Sequence, residues 1–208
     1  MTAPHWICIE GIDGCGKDRQ AGMLVDALTA RGEAVCAERE PSELNETGTL
    51  LRCWLATGEH PEAHAALFLA DRLESEPYRL RALAAGKWVV QVRSLLSTLV
   101  YQSERWPVPY LESMHQRMGA YPDIVFVLEV PVEEALRRIS LRGQPSEIYE
   151  RRETLERAHA GYGAARPVYR WLAADGSARF TTIVKVDGVG TWDAVHARLM
   201  ALLQGRLP

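Results

Sequence analysis

Residues Gly11-Ile12-Asp13-Gly14-Cys15-Gly16-Lys17 set three glycines and a lysine in the spacing GxxxxGK. That spacing suits the gripping of a polyphosphate. Glycines at Gly11, Gly14 and Gly16 let the backbone curl until successive N–H groups, that of Cys15 among them, turn inward toward phosphate oxygens. Lys17 then brings its positive charge to the β- and γ-phosphates. The motif closes on Asp18, where a serine or threonine hydroxyl would ordinarily ligate Mg²⁺. Two readings of Asp18 stand side by side: a carboxylate ligand to the metal, or a solvated first-turn residue favoured by the helix dipole. The ligand set implied is a nucleoside triphosphate with Mg²⁺.

Such a loop works only between a strand and a helix, because the helix N-terminus adds its own partial charge. Both are legible. His5 to Glu10 is a short apolar run, and Arg19 to Arg31 carries Met23, Leu24, Ala27 and Leu28 at helical spacing before Gly32. Further strands are predicted over Ala34 to Ala37, Trp88 to Val92, Ile124 to Val130 and Phe180 to Val186. Further helices are predicted over Leu50 to Leu55, Ala63 to Leu83, Pro131 to Arg142, Glu147 to Tyr162 and Trp192 to Leu203. Strands alternating with helices imply an α/β fold, a parallel sheet covered on both faces. With no repeat, low-complexity stretch or linker in 208 residues, one domain is expected.

Composition narrows the function classes. Hydrophobic residues make 47% and charged residues 25% of the chain, as in soluble globular proteins. A net charge of −3 speaks against broad nucleic-acid binding. No apolar run approaches the ~20 residues of a membrane span, and residues 1–10 lack the pattern of a signal peptide. Cys8, Cys15, Cys36 and Cys53 show no metal-type spacing. Reduced thiols in a cytoplasmic protein are expected.

The segment Glu10-Gly-Ile-Asp-Gly-Cys-Gly-Lys17 resembles the EGxDGxGK opening of thymidylate kinases, and the likeness continues in order along the chain. Arg39-Glu40-Pro41 is similar to the family's REP, and Leu67-Phe68-Leu-Ala-Asp-Arg72 to its LFAADR helix. Gly86-Lys-Trp-Val-Val90 with Arg93, then Ser97-Thr-Leu-Val-Tyr-Gln102, looks like its strand, DRY motif and STxAYQ helix. Tyr121-Pro-Asp123 matches its PD entry to a strand, and Tyr149-Glu150 the YE pair after its mobile lid.

The resemblance implies a three-layer P-loop NTPase fold with a five-stranded parallel sheet, a lid at about residues 142–150, and a homodimer joined through the apolar face of residues 63–73. It implies transfer of the γ-phosphoryl of ATP to dTMP or a related pyrimidine deoxynucleotide. Phe68 would stack on the base, Arg72 would meet its edge, and Arg93 would grip the acceptor's 5′-phosphate. Ser97, Tyr101 and Gln102 would line the base and sugar pocket, with Tyr149 beside them. Asp13 and Glu150 would face the sugar and phosphate region, and Arg39 the transferred phosphate. Among the arginines flanking the lid (Arg137, Arg138, Arg142, Arg151, Arg152), Arg142 adjoins Gly143 and is the first choice for neutralising charge in transfer.

The chain departs from the family at the metal. Val92 stands where the DRY aspartate is expected, Ser94 replaces its tyrosine, Ser42-Glu43 replace the glycines after REP, and Ile148 replaces an arginine before YE. Asp18 could supply the missing carboxylate from a new position. A second reading is therefore kept: a catalytically silent member that binds nucleotide for regulation or assembly. A deoxynucleoside kinase fits less well, since Arg93 suits an acceptor that already carries a phosphate.

Overall fold

A computed structural model describes residues 5–116, 118–142 and 148–205. The chain runs β1 (Trp6–Glu10), α1 (Lys17–Ala30), β2 (Val35–Arg39), α2 (Glu46–Thr57), α3 (His64–Ala84), β3 (Trp88–Val92), α4 (Leu95–Tyr101) and α5 (Val108–Met114). It continues with β4 (Ile124–Glu129), α6 (Val132–Leu141), α7 (Arg152–Gly163), β5 (Val168–Leu172), β6 (Ala178–Asp187) and α8 (Trp192–Gln204). The strands form one sheet in the order β2-β3-β1-β4-β6-β5.

The first five strands of that order are parallel, as expected. A sixth, β5, was not expected: it pairs antiparallel with β6 at the sheet's edge. Its sequence VYRWL alternates outward and inward, burying Tyr169 and Trp171 while Val168 and Arg170 face out, the pattern of a strand covered on one face. Trp171 stacks between Tyr121 and Tyr169 at ring distances of 5.3 and 5.4 Å. Two further differences concern helices. The expected single helix from Glu147 begins, within the described residues, as a 3₁₀ turn at Ile148–Glu150, and α7 starts only at Arg152. Helix α5 had no counterpart in the sequence reading.

Strand alternation divides the covering helices. In register, Trp6 lies beside Val89 and Ile7 beside Val90. Trp6 and Val89 pack with Ala82 of α3, whereas Val90 and Val92 belong to the main core together with Ala21, Leu24 and Leu28 of α1. Ile7, Cys8 and Ile9 are wholly buried. At ~25 cal/mol per Å², such two-faced burial is the main force holding β1 at the centre. The carboxyl ends of β1, β2 and β3 deliver the phosphate loop, Arg39 and Arg93 to one edge of the sheet, where ligands of open α/β sheets bind. Among the described residues no helix is long and apolar enough to cross a membrane, and all four cysteines are free.

Candidate active site

The phosphate loop fills the turn between Glu10 and Lys17, with Gly11, Gly14 and Gly16 all at positive φ. The requirement for glycine is steric as well as conformational. A Cβ on Gly14 would lie 2.4 Å from the Ala135 carbonyl oxygen, and one on Gly16 2.5 Å from the Trp192 ring. Lys17 leaves the helix start and curls back over the loop, donating to Asp13 Oδ1 at 2.9 Å and to the Ile12 carbonyl at 3.4 Å. Cys15 is buried, and burial pushes its thiol up, so it packs beneath the loop as a small apolar group.

Asp13 has a second cation. Arg93 Nη2 donates to the same Oδ1 at 2.5 Å, so one carboxylate joins the cation at the start of α1 to the cation at the end of β3. Burial alone would raise the Asp13 carboxyl, but Arg93 and Lys17 hold it well below the usual carboxylate range. The geometry brings together a loop built for the donor's phosphates and a guanidinium suited to a second phosphate. The parallel pairing of β1 with β3 sets that distance.

Arg93 is held by more than Asp13. Its φ of 65° is left-handed, a conformation that costs a non-glycine residue about 1–2 kcal/mol. Its N–H donates to Ile9 O at 3.1 Å, and its carbonyl accepts from Gln91 Nε2 at 2.8 Å. Its Nη1 donates to Ser97 Oγ at 3.1 Å, and its guanidinium lies 5.1 Å from the Tyr101 ring. Beneath the turn sits Glu10, fully buried. It accepts from the backbone N–H groups of Ser94 and Ser97, from both their hydroxyls, and from Tyr162 OH, all within 3.1 Å. Sequence reasoning passed over Glu10; a carboxylate ending an otherwise apolar buried strand was the signal. Ser94, at the place of the family's tyrosine, caps α4 and belongs to this network.

The other expected residues form three groups. Phe68 packs with Leu51, Leu55, Leu67 and Tyr149, and Tyr149 lies 5.2 Å from the Tyr101 ring. Gln102 donates to Tyr149 OH at 3.0 Å. Phe68, Tyr101, Gln102 and Tyr149 are thus one cluster, adjoining Ser97 and Arg93. Arg142 pairs with the buried Glu150 across the lid segment; residues 143–147 lie outside the described residues. Arg72 is only 1% exposed and grips Glu40 with Nε and Nη2, Thr98 with Nη2 and His115 with Nη1. That leaves at most one Nη1 N–H for a base edge. Gln91 ties Glu40 back to the Arg93 carbonyl.

Arg39 and Asp18 lie apart from Asp13. They face each other at 3.5 Å, both substantially exposed, and Arg39 also reaches Glu43 at 3.2 Å. Asp18 and Val92 line one cavity of about 980 Å³ beside α1. The side chain at 92 is buried hydrocarbon; of the carboxylates lining this cavity, Asp18, 59% exposed, is the one directly after the loop in sequence, with Asp26, Glu38, Glu43 and Glu74 further along the chain. Among the described residues no three His, Cys, Asp or Glu side chains group as a metal site. Mg²⁺ binds through one or two carboxylates with phosphate oxygens and water, so a single carboxylate such as Asp18, in exchange for its exposed partner Arg39, fits that donor set.

One arginine does more than expected. Arg138 donates to the Cys15 carbonyl at 3.0 Å and the Gly188 carbonyl at 3.2 Å, and stacks over Trp192 at 5.2 Å. It braces the loop from behind, whereas Arg137 pairs with Glu134 on the surface.

The chain is similar to known proteins over most of its length. The family model described as "Thymidylate kinase" matches residues 9–182. The thymidylate kinase of Chromohalobacter salexigens is 34% identical over 217 residues, covering 100% of this chain and 98% of that protein. The probable thymidylate kinase of Thermococcus kodakarensis is 35% identical over 211 residues, covering 96% and 97%. The solved thymidylate kinase of Candida albicans superposes with a TM-score of 0.79 at 20% identity, over 99% of this chain and 93% of that one, which speaks to the fold. Matched by the family model over most of its length and by relatives end to end, the chain belongs to the thymidylate kinase family.

Proposed function

We propose that the chain, acting as one domain, transfers the γ-phosphoryl of ATP to dTMP and releases dTDP and ADP. The observation that carries this reading is the Asp13 carboxylate shared by Lys17 and Arg93. Lys17 and the loop amides would neutralise the donor's phosphates, and Arg93 would hold the acceptor's 5′-phosphate in a fixed relation to them. Phosphoryl transfer needs such positioning and charge neutralisation more than covalent chemistry. Ser97 and Tyr101 fix the Arg93 guanidinium from the other side. Phe68 supplies an aromatic face to the base, while Tyr149 and Glu150 tie the lid's end to that pocket.

Mg²⁺, when bound with ATP, would neutralise charge on the transferring phosphates, and Asp18 would be its protein ligand. Arg39, already facing Asp18, would sit at the same rim. Arg142 would add positive charge from the lid. The cluster of acceptor-side residues gives the silent alternative no support. Exposed Leu50 on α2 and Leu73 on α3, helices that pack on one another, favour a homodimer through this side of the molecule. The test is γ-labelled ATP offered with each of several deoxynucleoside monophosphates. Label in dTDP is expected; label only in inorganic phosphate would sink the proposal.

A further inference from the structure

Two polar residues of the base cluster, Gln102 and Tyr149, connect to a histidine that no motif marks. His64 opens α3 and is wholly buried. Its Nε2 lies 2.8 Å from the Glu59 carbonyl oxygen, and its Nδ1 lies 3.1 Å from Tyr149 OH. A carbonyl can only accept, so Nε2 carries the ring proton. Burial lowers the His64 pKa, which keeps the ring neutral and leaves Nδ1 as a bare acceptor. Tyr149 has one hydroxyl hydrogen, and His64 Nδ1 takes it. The phenol oxygen must then accept from its other neighbour, Gln102, at 3.0 Å. The Gln102 amide is thereby fixed with its NH₂ on Tyr149, and its carbonyl oxygen accepts no hydrogen bond among the described residues.

We propose that His64 is a positioning residue that sets, through Tyr149, the polarity of the Gln102 amide, so that the pocket offers a carbonyl acceptor to the base. This rests on the thymidylate kinase reading of the site. A carbonyl acceptor suits the N3–H of an imide base such as thymine. Cytosine presents a lone pair at N3, so the same carbonyl repels it. Were the amide free to turn, its NH₂ would serve cytosine as well as its carbonyl serves thymine, and the discrimination would fall. His64 acts at a distance from the base; its effect is on which base is held, not on the transfer step.

The test uses the full chain and titration calorimetry with dTMP and dCMP, without ATP. The wild type should bind dTMP more tightly. His64→Leu should reduce the dTMP-to-dCMP affinity ratio about five- to tenfold, the worth of one well-made hydrogen bond. Tyr149→Phe, which removes the hydroxyl at the centre of the relay and tests the proposal even if His64→Leu fails to fold, should do the same. His64→Gln keeps an acceptor for that hydroxyl and should restore the wild-type ratio. A merely structural role would weaken both nucleotides alike, so an unchanged ratio in His64→Leu and Tyr149→Phe overturns the proposal. So does a wild type that binds the two equally. Absence of dTMP turnover by the wild type would strike the proposed function instead, and leaves these affinities readable.

Discussion

Replacing Asp13 with asparagine keeps the side chain's size and removes its charge from between Lys17 and Arg93. The carboxylate is 17% exposed, with the two cations at 2.9 and 2.5 Å. At an effective dielectric of about 20 and these separations, each pair is worth about 6 kcal/mol before desolvation is counted. Most of that gross attraction offsets the cost of burying the charges, but the mutant leaves two cations facing each other with no anion. Breaking a buried pair in this way costs about 3–5 kcal/mol; the amide oxygen still accepts one hydrogen bond, so about 3 kcal/mol is expected in urea unfolding of the nucleotide-free protein. ATP should recover much of that loss, because its phosphates bring negative charge to the same two cations. Affinity for ATP should therefore hold or rise in Asp13→Asn, while kcat falls about a hundredfold as Arg93 loses its register with the loop. A variant as stable and as fast as the wild type would refute the bridging role. So would one that loses ATP affinity in step with kcat.

Asp18→Ala should lower kcat/KM about a hundredfold and abolish the Mg²⁺-dependent tightening of ATP binding seen by calorimetry; full activity with unchanged Mg²⁺ dependence would return Asp18 to the status of a solvated surface residue. Glu10→Gln removes the buried charge and leaves one acceptor oxygen for the Ser94 and Ser97 backbone N–H groups, while its NH₂ forces the Ser97 and Tyr162 hydroxyls to turn and accept. It should cost about 3 kcal/mol in urea unfolding and raise KM for the acceptor as Arg93 loosens; a loss under 0.5 kcal/mol would contradict the role given to Glu10. Burial, and then the Arg72 guanidinium, hold His115 down to about 3. The folded protein leaves it neutral where the unfolded chain, near 6.5, already protonates it. Stability is thus full above about pH 6.5 and falls with decreasing pH between about 6.5 and 3, by about 2 kcal/mol at pH 5 from this residue alone. His115→Gln should flatten that slope, as read by urea unfolding at pH 5 and 7.

The parts of this molecule that were legible in the sequence are those in which local pattern and function coincide. The phosphate loop shows itself because its glycines, its lysine and the flanking elements all lie within residues 5–31. Strand β4 shows itself because burial on both faces leaves only apolar residues from Ile124 to Leu128. Strand β5 escaped because it is an edge strand with one wet face, and its partner follows across a short turn at Asp175-Gly176, a hairpin signal that was available. The helix expected from Glu147 was read through Arg151, an extended residue that separates the 3₁₀ turn from α7.

The site divides in the same way. Lys17, Arg93, Phe68 and Tyr149 could be proposed from motifs, each of which is contiguous. The polar connections between them could not. Glu10 meets Ser97 and Tyr162, Arg72 meets Glu40 and His115, and His64 meets Tyr149 across 32 to 152 residues of chain. Only the folded backbone decides which buried donor finds which acceptor. Asp18 is the reverse case: its departure from the motif was plain in the sequence, and the structure adds that it shares a cavity wall with Val92 and faces Arg39.

We propose that this chain moves a phosphoryl group from ATP to a nucleoside monophosphate with Lys17 and Arg93 on the two sides of the transfer. The most direct test is to mix the purified protein with Mg-ATP and dTMP, separate the products over time, and run Lys17→Ala beside it. The wild type is expected to form dTDP in step with ADP, and the variant to lose at least about a hundredfold in rate. ADP without dTDP, or dTDP formed equally well without Lys17, would contradict it.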